Sequence, residues 1–134
     1  MSTARLLIAM IVAFILMAGL GTLIHAFLLA SDYNTVATLY RPAASTLFPL
    51  IFLAYAAYAI AFVWIYSKGV EDKPPVMQGL TFGFLAWLLA KLPPFVIVYA
   101  VQPMPSILLL KQLGYELIAA LILGTVVSMI VRKT

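Results

Sequence analysis

Four apolar stretches, each close to or beyond the length that crosses a bilayer, occupy almost all of the 134-residue chain and are parted only by short polar breaks. About 20 residues rising 1.5 Å each cover the roughly 30 Å of a bilayer's hydrocarbon. The stretches fall at about residues 5–30, 45–66, 77–101 and 107–131. Inside hydrocarbon every backbone amide must be satisfied within the chain, which leaves helices as the form these segments take. The expectation is an all-α polytopic membrane protein, a four-transmembrane-helix bundle in which residues 1–134 make one domain. The apolar run from Leu6 to Ala30 is much longer than the 7–15 or so residues of a signal-peptide core, so it is expected to be a true span.

Composition agrees with this class. Hydrophobic residues make up 66% of the chain and charged ones 9%, too few to clothe a water-soluble domain. With no cysteine, disulfides, thiolate metal sites and thiol redox chemistry are excluded. The net charge of +4 comes from basic residues set mostly at span ends, where they act as topology signals, and no nucleic-acid partner is expected. Arg5, Lys68, Lys73, Arg132 and Lys133 fall on one side and Arg41 alone on the other. Lysine and arginine favour the cytoplasmic side, which predicts an N-in, C-in topology.

Small residues recur every three or four positions at Ala18, Thr22 and Ala26 and at Ala54, Ala57 and Ala61, which predicts close contact between the first two spans. Tyr55, Tyr58, Phe62 and Tyr66 follow helical spacing on the second span and are expected to pack against a neighbouring helix. Internal repeats of the transporter type are not expected, because the Pro93-Pro94 pair of the third span has no counterpart in the first.

The ionisable residues within the spans carry the functional interest, since each costs about 2.5–3.5 kcal/mol or more in hydrocarbon unless it is paired or reaches the surface. Lys91 lies about 21 Å along its helix from Met77, Lys111 about 8 Å from Ser106, and Glu116 about 15 Å from Ser106. Lys111 is expected to snorkel outward on its long stem. Glu116 is too deep and too short for that, and it stands about 140° around the helix from Lys111. Lys91 is therefore its expected partner, with Gln112 one turn away on the same face as an additional donor. Pro93-Pro94 frees carbonyls just beyond Lys91, which its ammonium is also placed to serve. A second candidate group lies near the outer face. His25 and Asp32 share a side if the helix continues past Ala30, and Tyr33 and Arg41 follow in the same loop region. An imidazole beside a carboxylate suits proton relay or metal ligation, but one histidine without cysteine is too small a donor set for a structural zinc site.

The stretches AFVWIYSKGVEDKPPVMQGLTFG, YAVQPMP, LKQLGYE and IHAFLLASDY resemble a family of small uncharacterised four-span bacterial inner-membrane proteins. That resemblance implies a four-helix membrane fold and a bacterial inner-membrane location, and it brings no activity or site residue with it. The residues contain no catalytic, nucleotide-binding or metal-binding signature, so no enzyme activity, cofactor or metal is expected. The leading functional expectation is an accessory or structural subunit that packs in the bilayer against other membrane chains or further copies of itself. The alternative is a small oligomeric transporter or channel using Glu116 and Lys91, and the third is a haem-, quinone- or metal-binding protein using His25. Four-span exporters that resemble the small multidrug resistance proteins place an acidic residue in the first span, and this chain has none there.

Overall fold

In the computed structural model, which describes residues 1–132, four helical segments are long and apolar enough to cross a membrane: Thr3–Leu28, Phe48–Gly69, Pro75–Val101 and Ser106–Ile130. The first opens as α1 (Thr3–Thr22), capped by Ser2, whose hydroxyl accepts a hydrogen bond of 3.2 Å from the Arg5 amide. It then widens into a π-helical turn over Leu23–Leu28, in which the Leu29 amide reaches back to the Ile24 carbonyl at 2.8 Å. Such turns shift the residues they carry around the helix axis and recur at functional sites. A short α2 (Ala30–Asn34) and two 3₁₀ turns, Ala37–Leu39 and Ala43–Ser45, complete the loop.

Proline opens the next two helices, α3 (Phe48–Gly69) and α4 (Pro75–Ala90), at positions where its missing amide has no helical partner to lose. Within the third segment α4 gives way at Lys91 to α5 (Leu92–Val101), so Pro93 and Pro94 lie in the first turn of a new helix. The break is shallow. Lys91 N–H still bonds the Trp87 carbonyl at 3.0 Å, and Phe95 N–H bonds the Lys91 carbonyl at 3.3 Å. The last helix, α6 (Ser106–Ile130), is unbroken.

The centre of the bundle is α6. Its buried residues, Leu108, Gln112, Glu116, Ala120, Leu123, Gly124, Val127 and Ser128, repeat every three or four positions and form one inward stripe. Against it α4 lays Gly79 and Gly83 so closely that a Cβ on either would strike the backbone of Gly124 or Ala120. On the other flank Ala9, Ala13 and Met17 of α1 pack with Ala59, Phe62, Val63 and Tyr66 of α3 and with Leu123 and Val127. A second cluster of Ile24, Leu29, Val36, Met104 and Leu108 seals the end that carries His25.

The first two spans do meet, but through other residues than expected. Thr22, Ala26, Ala54, Ala57 and Ala61 all face outward, and the closest small-residue contact is between α4 and α6. Tyr55, Tyr58, Phe62 and Tyr66 face inward as an aromatic row, with Phe62 and Tyr66 edge-on to Phe82 of α4 at 4.7 and 5.4 Å. Arg5 and Arg132 line one hollow, which sets the start of α1 and the end of α6 at the same end of the bundle. Lys133, the other basic residue expected there, lies outside the described residues. The outward faces are studded with large apolar side chains such as Ile15, Phe27, Leu53, Leu89 and Val101, a surface suited to lipid and unsuited to water.

Candidate functional site in the bundle core

Part of each candidate group expected from the sequence converges on one place, His25 and Tyr33 from one and Lys91, Gln112 and Glu116 from the other. Glu116, on the inward stripe of α6, accepts at Oε1 from His25 Nε2 at 2.8 Å, while its Oε2 lies 3.6 Å from Lys91 Nζ. Each donor arrives there through a local irregularity. His25 sits in the π turn, and Lys91 is the residue between α4 and α5. An ionised carboxylate only accepts, so Nε2 carries a proton toward it, and in the neutral tautomer with that proton Nδ1 accepts from Tyr33 Oη at 2.7 Å. Tyr33 Oη in turn accepts from Gln112 Nε2 at 3.2 Å. The result is a one-way chain of donors, Gln112 to Tyr33 to His25 to Glu116, with Lys91 closing the far side of the carboxylate.

Asp32 and Lys111 form a separate pair above this chain. The ammonium reaches both carboxylate oxygens, at 3.1 and 3.2 Å. Lys111 thus has a partner that the sequence did not announce, because α2 swings a carboxylate over the start of α6. Asp32 and His25, expected on a shared face, go to different partners: the π turn and the bend at Leu29 (φ −103°, ψ 6°) interrupt the regular helix that would align them. Arg41 is exposed and takes no part; among the described residues no hydrogen bond or ion pair engages its side chain. Nor does Lys91 serve the carbonyls freed by Pro93 and Pro94. Its ammonium goes to Glu116 and to the face of the Tyr58 ring, 5.0 Å from the centroid.

The cluster borders a cavity of about 120 Å³ walled by Met17, Gly21, Ile24, His25, Tyr55, Tyr58, Lys91, Phe95 and Glu116 among others. Gly21 leaves room for the Tyr55 hydroxyl, which a Cβ at that position would displace. Two polar atoms near the chain are buried without a hydrogen-bond partner, Tyr58 Oη and Gln112 Oε1. In the loop, burial pushes the Tyr33 phenol up to about 12, and the same cause raises that of Tyr40, whose ring stands edge-on to Tyr33 at 5.2 Å. Among the described residues no three His, Cys, Asp or Glu side chains gather as a metal site would need.

Sequence reasoning reaches Lys91, Glu116 and Gln112 through depth and helical spacing. It keeps His25 and Tyr33 apart from them, because nothing local announces a π turn. The pair Gly79 and Gly83, four residues apart, is the readable sign that α4 packs tightly and carries Lys91 toward α6. No family model, curated protein or solved structure matches this chain, so function rests on the geometry of the site.

Proposed function

We propose that the chain is a small noncatalytic membrane carrier in which Glu116 takes up and releases a proton, assisted by His25 and Lys91. It lies in a bacterial inner membrane with both termini cytoplasmic. The distribution of lysine and arginine and the family resemblance support that placement. One observation carries the reading: a buried carboxylate held between an imidazole and an ammonium forms part of a cavity wall. An ion pair that only braced two helices would need neither a titratable imidazole nor space beside it. The cavity, about 120 Å³, has the volume of a few water molecules at roughly 30 Å³ each and is well below the ~300 Å³ of a drug-sized pocket. That size suits protons and small ions better than multidrug-type substrates. The haem, quinone or metal reading of His25 is weaker, since Tyr33 and Glu116 engage both ring nitrogens.

Purified protein in vesicles containing a pH dye, challenged with a membrane potential and a panel of small ions, tests the proposal. The expected result is proton flux that disappears in Glu116→Gln and persists in part in Glu116→Asp. A second reading, the accessory subunit, is favoured by an apolar groove of about 290 Å³ between α3 and α4, lined by Ala61, Ala86 and Ala90, where a helix of another membrane chain or a second copy would fit. Absence of flux, together with a membrane chain copurifying in fixed ratio, would establish that reading instead.

A further inference from the structure

The cavity beside Glu116 is bordered by an ammonium and by a phenol whose hydroxyl has no partner. Lys91 and Tyr58 both line it; the Lys91 ammonium is 3.6 Å from Glu116 Oε2, and the Tyr58 hydroxyl is buried with no hydrogen-bond partner. A second unused group stands at the opposite end of the chain. Gln112 Oε1 is buried and unpartnered on the same amide whose Nε2 donates to Tyr33 Oη. Half a turn of that amide exchanges acceptor for donor, so the Tyr33 hydroxyl can point its proton to His25 or to Gln112. The same atoms therefore make a complete hydrogen-bond chain in either direction.

From this arrangement we infer that the cavity binds a small monovalent anion, carboxylate or halide, together with a proton delivered to Glu116 through Tyr33 and His25. The inference rests on the carrier reading and names its co-substrate. A hydronium ion at the Tyr33 end gives its proton to Tyr33 Oη and leaves as water, while the original hydroxyl proton of Tyr33 passes to His25 Nδ1. The Nε2 proton of His25 passes to Glu116 Oε1. Three bonds to hydrogen break and three form, and no electrons are transferred. The imidazole ends neutral with its proton on Nδ1, and Tyr33 ends neutral with its hydroxyl turned to Gln112 Oε1.

Charge then selects the ligand. The groups facing Glu116 are His25 from the first segment, Tyr55 and Tyr58 from α3, Lys91 from the third segment and Gln112 from its own helix. Asp32 is occupied by Lys111 and does not compensate this cluster. Once Glu116 is neutral, Lys91 is an ammonium without a counterion beside a cavity. An anion there accepts from the Lys91 ammonium and restores neutrality, whereas a cation adds to the excess.

The full chain in detergent, lightly buffered and titrated with sodium formate or sodium chloride at constant sodium, supplies the test. Binding should consume about one proton per anion, and the apparent Kd should rise about tenfold per pH unit above the titration of Glu116. Comparing formate with chloride distinguishes a carboxylate site from a halide site. Glu116→Gln should bind the anion without proton uptake and without pH dependence. Lys91→Met should lose binding and Lys91→Arg should keep it, which separates loss of the charge from loss of the fold. In Tyr33→Phe the affinity should stand while proton uptake slows. Wild-type protein that consumes no proton with either anion, or a Lys91→Met protein that binds as the wild type does, overturns the inference. Flux of a cation without anion binding leaves the carrier reading standing and removes this one; proton-linked anion binding without flux does the reverse.

Discussion

Glu116 holds two partners, an imidazole and an ammonium, on one buried side chain, and the energetic consequence of losing its charge is asymmetric. Removing its charge in Glu116→Gln leaves Lys91 inside the bundle with no counterion, whereas removing both charges leaves only apolar surface to pack. The single substitution is expected to cost toward the lower end of about 3–5 kcal/mol, because the Lys91 side chain keeps 23% exposure. Lys91→Met combined with Glu116→Leu should recover most of that loss. Denaturant or thermal unfolding in micelles measures both, and a double variant as unstable as the single would refute the pairing. Tyr33 offers a second residue-scale check. Its phenol is pushed up to about 12 by burial, so the folded state binds that proton more tightly than the unfolded chain does. The associated stability is complete below the ordinary phenol value of about 10 and is lost as pH rises from there toward 12. Absorbance titration should find a late-ionising phenol that is missing in Tyr33→Phe. Depth along the helix makes Lys91, Glu116 and Gln112 legible from sequence alone. Tyr33 and His25 are legible only as residues of interest, since their partners are fixed by where a loop folds over α6.

Among the helices, the glycines separate a tight interface from a free surface. Gly83 faces the Ala120 backbone, which cannot yield as a flexible side chain can. Gly83→Ala should force α4 from α6 and cost about 1–3 kcal/mol, as overpacked sites do. Gly114, on the same α6, has nothing within 4 Å of the place a methyl group would take. Gly114→Ala should be neutral or stabilising by up to about 1 kcal/mol through helix propensity. Equal effects at the two sites in a thermal-shift comparison would contradict the packing of α4 on α6. The alanine-rich stripes of the first two spans mislead because small residues permit close approach without demanding it; lipid fills the same space at little cost. Gly79 and Gly83 are the stronger sign, since glycine in a helix interior is disfavoured unless a neighbour needs the room.

For the bundle taken whole, the decisive question is which ends share a side. Reporter fusions at the C-terminus and within the Tyr33 to Tyr40 loop should give opposite signals, with the C-terminus cytoplasmic. Matching signals from the two fusions would break the four-span arrangement. The number and approximate limits of the long apolar helices, and the depth of each charged residue, are written in the sequence, because apolar length and rise per residue are properties of a segment alone. Which charges meet is a property of the folded bundle. That depends on how far a π turn rotates His25, where α4 yields to α5 at Lys91, and how α2 folds back over α6. Each of these is settled by contacts between segments distant in sequence, and so members of two groups that lie apart along the chain become one cluster in space.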